Sequence, residues 1–219
     1  MQPFRVRYQT IEFGNVDIHV RTLRDNQQFS DIHGIAEKLG ISSATWPIFG
    51  IIWPSSEVLA HLMLDFDIEG KRVLEIGCGI GLSSLVLNNR NTDITATDYH
   101  PEANNFLIAN VKLNGGKAIP FVRTGWTDKI TTLGKFDLLI GSDILYESSH
   151  VSQLAAFVDQ HAKKKCEVIL VDPGRGHHAR FSKKMTSLGY VHSQSSAINP
   201  DYLKKPFRGQ IIRYLRDLN

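Results

Sequence analysis

The chain has 219 residues, 42% of them hydrophobic and 21% charged, with a formal net charge of +3. That profile fits one ordinary globular domain and excludes a disordered or low-complexity chain. With only two cysteines, Cys78 and Cys166, a multi-bridge disulfide framework is excluded and a reducing cytoplasm is the expected location.

The N-terminus, Met1-Gln2-Pro3-Phe4-Arg5, lacks the apolar stretch and cleavage site of a signal peptide. No apolar run is read as approaching the ~18–20 residues of a membrane span, so no membrane partner is expected. Ile11, Phe13, Val16, Ile18 and Val20 flank Gly14-Asn15, which predicts an antiparallel hairpin with a II′ turn. Asp31 to Gly40 reads as a short helix, with Ile32, Ile35, Ala36 and Leu39 on one face and Gly40 as its stop. A Trp/Pro-rich stretch, 46–54, precedes a second helix over 55–64.

From residue 70 the pattern alternates. Strands are predicted at Arg72–Ile76, Asp93–Thr97, Ala118–Val122, Phe136–Gly141 and Cys166–Val171. Helices fall between them at about Leu82–Asn88, Pro101–Asn114 and Val151–Ala162. A further helix near Ala179–Leu188 leads to strands at Tyr190–Ser195 and Gln210–Leu215. Short apolar strands alternating with helices predict an α/β domain, its mostly parallel sheet covered on both faces.

The most informative segment runs from a strand through glycines into a helix: Glu75-Ile76-Gly77-Cys78-Gly79-Ile80-Gly81-Leu82, with Asp98 closing the next strand 21 residues after Gly77. Ligands in such folds lie beyond the carboxyl ends of the strands, and an acidic residue at Asp98's position is placed to bind ribose hydroxyls. The third glycine, Gly81, comes one residue too early for the dinucleotide fingerprint, and the Walker pattern is absent. An E-x-G-x-G-x-G loop suits S-adenosylmethionine, whose amino-acid end would face the loop, with Glu75 on the ammonium side. Trp53 precedes the helix that would cap this pocket, and Cys78 reads as a small packing residue in the loop rather than a nucleophile.

On these residues, on Ile52-Trp53-Pro54, and on Gly141-Ser142-Asp143-Ile144-Leu145-Tyr146, the chain resembles class I S-adenosylmethionine-dependent methyltransferases over most of its length. More narrowly it resembles the protein-lysine methyltransferases of valosin-containing protein, Hsp70-type chaperones and the electron-transfer flavoprotein β-subunit. Asp172-Pro173-Gly174-Arg175 is most similar to the last branch. The resemblance implies a Rossmann-like seven-stranded sheet with an antiparallel last strand. It divides the chain into a hairpin and pocket-covering extension, 1–69, and a methyltransferase core, 70–219, forming one compact unit. It also implies cofactor contacts from Trp53, Asp98, Trp126 and Ser142, beside the loop residues Glu75, Gly77, Cys78, Gly79 and Gly81. Thr124-Gly125 departs from the pattern, since relatives often carry an acidic residue before Trp126.

Asp143 and Tyr146, spaced D-x-x-Y beside the expected methyl group, are the candidate catalytic residues; Asp172 and Arg175 are candidates for the substrate side. Ile144-Leu145 replaces the Pro-Pro of enzymes that methylate adenine bases or glutamine amides, which disfavours those substrates. The function read from the sequence is protein-lysine N-methylation without a metal. The alternatives are a nicotinamide-like small-molecule N-methyltransferase and a non-catalytic S-adenosylmethionine-binding module. Residues 160–219 hold 12 Lys/Arg against 4 Asp/Glu, so an acidic protein surface is the expected partner and nucleic acid is disfavoured. The sequence does not specify an oligomeric state.

Overall fold

The computed structural model describes residues 4–129, 131–197 and 201–218; Met1-Gln2-Pro3, on which part of the signal-peptide reading rests, lies outside them. Strands β1 (Val6–Phe13) and β2 (Val16–Leu23) form the predicted hairpin. Gly14 takes φ 62°, whereas Asn15 is not among the residues with positive φ, as a II′ turn requires. Two asparagines of α4 (Ala103–Leu113 with Asn114 at its cap) anchor the hairpin by accepting from its backbone: Arg21 N to Asn110 Oδ1 at 2.6 Å and His19 N to Asn114 Oδ1 at 2.8 Å. Asn110 Nδ2 also donates to Ile80 O at 3.0 Å, so one side chain links hairpin, helix and glycine loop.

The main sheet is β3 (Arg72–Ile76), β4 (Asp93–Asp98), β5 (Phe121–Arg123), β6 (Phe136–Ser142), β7 (Ala162–Asp172), β8 (Val191–Ser196) and β9 (Gln210–Asp217). Its order is β5-β4-β3-β6-β7-β9-β8, parallel except for β9, the last strand, which is antiparallel to both neighbours. Strand alternation sorts side chains onto two cores. Val73, Leu138, Ile140, Ile169 and Val171 join the hairpin, α2 (Pro54–Asp65), α3 (Leu82–Asn89) and α4; Leu74, Ile76, Leu139, Val168 and Leu170 join α5 (His150–His161) and α6 (His178–Ser187). The sheet is thus the middle of three layers, with helices on both faces.

Beside the later start of β5, at Phe121, three further expectations need correction. The helix at Asp31–Gly40 shrinks to α1, Ile35–Lys38, because Gly34 turns left-handed at φ 61° and Asp31 accepts from Ala36 N and Glu37 N, closing a turn instead. Strand β7 begins four residues earlier than the apolar run, carried through exposed Lys163, Lys164 and Lys165 by pairing of Ala162 with Phe136. Finally, Trp46–Asp65 does reach the length and mean hydropathy (20 residues, 1.3) of a membrane span. The structure breaks it into a 3₁₀ turn at Trp46–Gly50, an extended step at Ile51–Trp53, and the 12-residue α2, about 18 Å long against a ~30 Å hydrocarbon core.

Candidate active site

The strand order reverses between β3 and β6, and the ligand-sized cavity, about 560 Å³, opens at the carboxyl ends of β3, β4 and β6. Its floor is the glycine loop. Gly77 (φ 65°) and Gly79 (φ 54°) are left-handed, and a Cβ on Gly79 would stand 2.7 Å from the carbonyl oxygen of Phe49. That close approach brings the 3₁₀ turn over the loop as a cover. Gly81 plays a different part. It caps α3, and a Cβ there would strike Leu107 Cδ1 at 2.4 Å, so it serves helix packing and does not line the cavity. Cys78 lines the loop and its amide bonds Thr97 O at 2.9 Å; burial drives its thiol well up, which leaves a neutral packing group.

Asp98 closes β4 at the cavity wall. Its Oδ2 accepts from Gly79 N at 2.7 Å and its Oδ1 from His100 N at 2.8 Å. Burial raises its pKa, and the backbone amides work against that rise. Each oxygen retains acceptor capacity for a further hydroxyl. Glu75, expected at the ligand, is not at the cavity. It is 4% exposed and turned toward α3, where Oε2 accepts from Ser84 N at 3.0 Å and from Ser84 Oγ. Alternation explains this: Leu74 and Ile76 face one core, so Glu75 faces the other.

Trp53 lines the cavity with its Nε1 fixed to Ile48 O at 2.9 Å, and Trp126 and Ser142 line it from the β5 and β6 ends. An acidic residue does stand just after Trp126, outside the cavity lining. Asp128 folds back to accept from Gly125 N (2.8 Å) and Thr124 Oγ1 (2.9 Å). Asp143 and Tyr146 both line the cavity mouth. Asp143 is left-handed at φ 53°, held by its own amide to Val171 O at 2.9 Å and by a two-pronged ion pair, Arg175 Nε to Oδ1 (2.5 Å) and Nη2 to Oδ2 (2.8 Å). Burial and the neighbouring Asp98, Glu147 and Asp143 push the Tyr146 phenol up, keeping it protonated. Arg175 lines the cavity; buried Asp172 does not, because Oδ1 is occupied by Gly174 N (2.5 Å) and Arg175 N (3.2 Å) in the turn.

Sequence reasoning missed several wall residues, among them Tyr99, His100, Phe49 and His150. Tyr99 donates to Leu39 O at 2.9 Å and ties the end of α1 to the end of β4; His100 stacks on Phe49 of the cover with centroids 3.8 Å apart. Burial pushes His100 down to about 3, so it is a neutral packing ring. His150 stands edge-on between Tyr146 (4.6 Å) and Trp126 (4.9 Å), and burial lowers its pKa as well. The signals were present: Tyr99 and His100 directly follow Asp98, and His150 follows Tyr146 by four residues.

A family model described as lysine methyltransferase matches residues 36–187. The chain belongs to the lysine methyltransferase family. Family relatives include the calmodulin-lysine N-methyltransferase of Arabidopsis thaliana, 29% identical over 150 residues (63% of this chain, 49% of the relative). A histidine protein methyltransferase 1 homolog of Dictyostelium discoideum is 31% identical over 124 residues (52% and 40%). The chain therefore spans about half the length of the curated relatives it matches. Among solved structures, magnesium protoporphyrin IX methyltransferase from Synechocystis PCC 6803, with bound SAM, superposes with a TM-score of 0.57 at 19% identity, over 74% of this chain and 78% of that one; this likeness concerns the fold.

Proposed function

We propose that the chain is an S-adenosylmethionine-dependent protein-lysine N-methyltransferase. The observation that carries this is a single cavity lined both by the Gly77–Gly79 loop with Asp98 and by Asp143 and Tyr146. The residues fit the cofactor. A carboxylate with acceptor capacity stands where ribose hydroxyls would lie, left-handed glycines keep side chains off the loop, and Trp53, Phe49 and Trp126 offer apolar walls. When bound, S-adenosylmethionine supplies an electrophilic methyl group on sulfur. The chain's own residues then divide the work. Asp98 orients, the Phe49–Trp53 cover excludes water, and Asp143 and Tyr146 hold the acceptor nitrogen in line. Presenting a lysine of pKa ≈ 10.4 as the free amine at pH 7.4 costs about 4 kcal/mol, so a site that favours the neutral form matters.

Incubating the protein with methyl-labelled cofactor and a cell lysate tests this, with the labelled residue located by mass spectrometry. Label on protein lysine is expected. Label confined to small metabolites, label on histidine as one relative's name would suggest, or no transfer at all would refute it.

Two of the basic groups of the C-terminal third, which also holds Lys183 and Lys184 on α6, differ in their place relative to the cavity. Lys165 pairs with Asp217 and Asp172 with Gln210 along β7 and β9, so Lys163–Lys165 lie about 23 Å along the sheet from the cavity end. Exposed Lys204, Lys205 and Arg208 precede β9, whose first residue, Gln210, pairs with Asp172 at the carboxyl end of β7, and Lys204 stands close to Glu57 of α2. We infer that an acidic surface of the protein acceptor docks on this second group. The free cysteines, Cys78 and Cys166, both buried, support work in a reducing cytoplasm.

A further inference from the structure

Two aspartates end neighbouring parallel strands, and they are treated differently. Ser142 on β6 pairs with Val171 on β7, so Asp143 and Asp172 leave the sheet side by side. Asp172 is sealed in and spends Oδ1 on the amides of Gly174 and Arg175. That turn, with Gly174 at φ 97°, aims the Arg175 side chain at Asp143 and seats it on both carboxylate oxygens. The Asp143 side chain is 10% exposed and that of Arg175 42%. The carboxylate at the acceptor end of the cavity is therefore already matched by a cation before any substrate arrives.

This matters for the protonation of whatever enters. A lone carboxylate within ~4–6 Å of an ammonium raises its pKa by about 1–3 units and so holds it in the unreactive form. An Asp–Arg pair has no net charge: it withdraws the attraction a lone carboxylate offers an ammonium, leaving desolvation in the cavity to favour the neutral amine, yet keeps oxygen lone pairs that can accept its N–H bonds. The other charged or titratable groups facing this point are Tyr146, kept protonated, Glu147 and His150 beside it, Asp98 across the cavity, and Asp172 and His177 on the turn. His150 is held toward its neutral form by burial, and Asp98 already accepts one backbone amide on each oxygen.

We propose that Arg175, aimed by Asp172, is a built-in counter-charge to Asp143 that makes the cavity receive the acceptor amine in its neutral, nucleophilic form. This deepens the lysine-methylation reading and rests on it for its biological meaning. Arg175 is on this account a positioning and charge-setting residue; Asp143 is the group that touches the amine.

The test uses n-butylamine as the probe and the full chain saturated with S-adenosylhomocysteine, with affinity measured by calorimetry from pH 7 to 9. For an alkylamine with a lysine-like pKa near 10.4, selection of the neutral form means that affinity rises about tenfold per pH unit. That slope is expected for the wild type. Arg175→Gln should bind more tightly at pH 7 and show no slope, because the ammonium is then taken up by Asp143. Arg175→Lys, which restores the charge, should restore the slope. Asp143→Asn, which leaves Arg175 in place, should keep the slope with weaker binding. Identical slopes in wild type and Arg175→Gln, or no amine binding by the wild type at any pH, would overturn the proposal. Because the probe is not a protein acceptor, the two readings fail separately. A correct slope with no labelling of lysate proteins refutes the proposed function, and labelling without the slope refutes the role of Arg175.

Discussion

Glu75 separates what its neighbours in the sequence suggest from what its neighbours in space do. Next to the glycine loop it reads as a ligand for the cofactor's ammonium group; in the fold it is sealed against Ser84 at the start of α3. Burial pushes its carboxyl up to about 7 from 4.5. A carboxyl whose folded pKa lies above its unfolded value contributes stability that is complete below pH 4.5 and lost as pH rises through about 7. At 1.36 kcal/mol per unit, the loss is about 3 kcal/mol. Glu75→Gln keeps a carbonyl oxygen to accept both Ser84 bonds and removes the ionisation. Urea denaturation of both proteins from pH 4 to 8 gives the difference between their stabilities, in which every other titrating group cancels. That difference should move by about 3 kcal/mol in favour of the glutamine variant across the range. Calorimetry should find S-adenosylmethionine affinity changed by no more than a few-fold. A flat stability difference would show that Glu75 is not desolvated as described. A loss of affinity in the folded variant on the scale of a charged hydrogen bond, 1.5–3 kcal/mol or roughly 10–150-fold, would return Glu75 to the ligand.

Asp98→Ala should weaken S-adenosylmethionine binding by a similar 10–150-fold, since it removes a charged acceptor at the ribose position; unchanged calorimetric affinity would refute that assignment. Asp143→Ala and Tyr146→Ala should each slow single-turnover methylation of a labelled acceptor by about 100-fold or more while cofactor affinity holds, and near-normal rates in both would make the pair structural. Lys204→Glu with Lys205→Glu should raise KM for the acceptor and flatten its rise with added salt, as the Debye length falls from ~10 Å at 0.1 M to ~3 Å at 1 M. A salt response equal to the wild type's would place docking elsewhere.

Strands β3, β4 and β6 are legible because each is a short apolar run between turn-forming residues, and the glycine loop because its spacing admits few ligands. What the sequence hides is facing and register. Glu75 belongs to α3 by period-2 alternation, since Leu74 and Ile76 flank it; adjacency to Gly77 outweighs that signal when the segment is read alone. The apolar pattern starts strand β5 too early, at 118, because Pro120 is apolar; proline has no amide to donate, and the strand is counted only from Phe121, although Pro120 O accepts from Ala96 N. Asp143 and Asp172 each follow an apolar strand, and although Tyr146 and the Pro173-Gly174 turn mark them differently, neither segment read alone shows that Arg175 pairs with Asp143. They diverge because β6 and β7 lie parallel and level: the later turn is built on Asp172 and can then reach across the 32 residues between Arg175 and Asp143. Asp143 is thus chemically incomplete when read alone. Its charge at the cavity mouth is a property of two strands in register, and the pH dependence of amine binding is where that register becomes measurable.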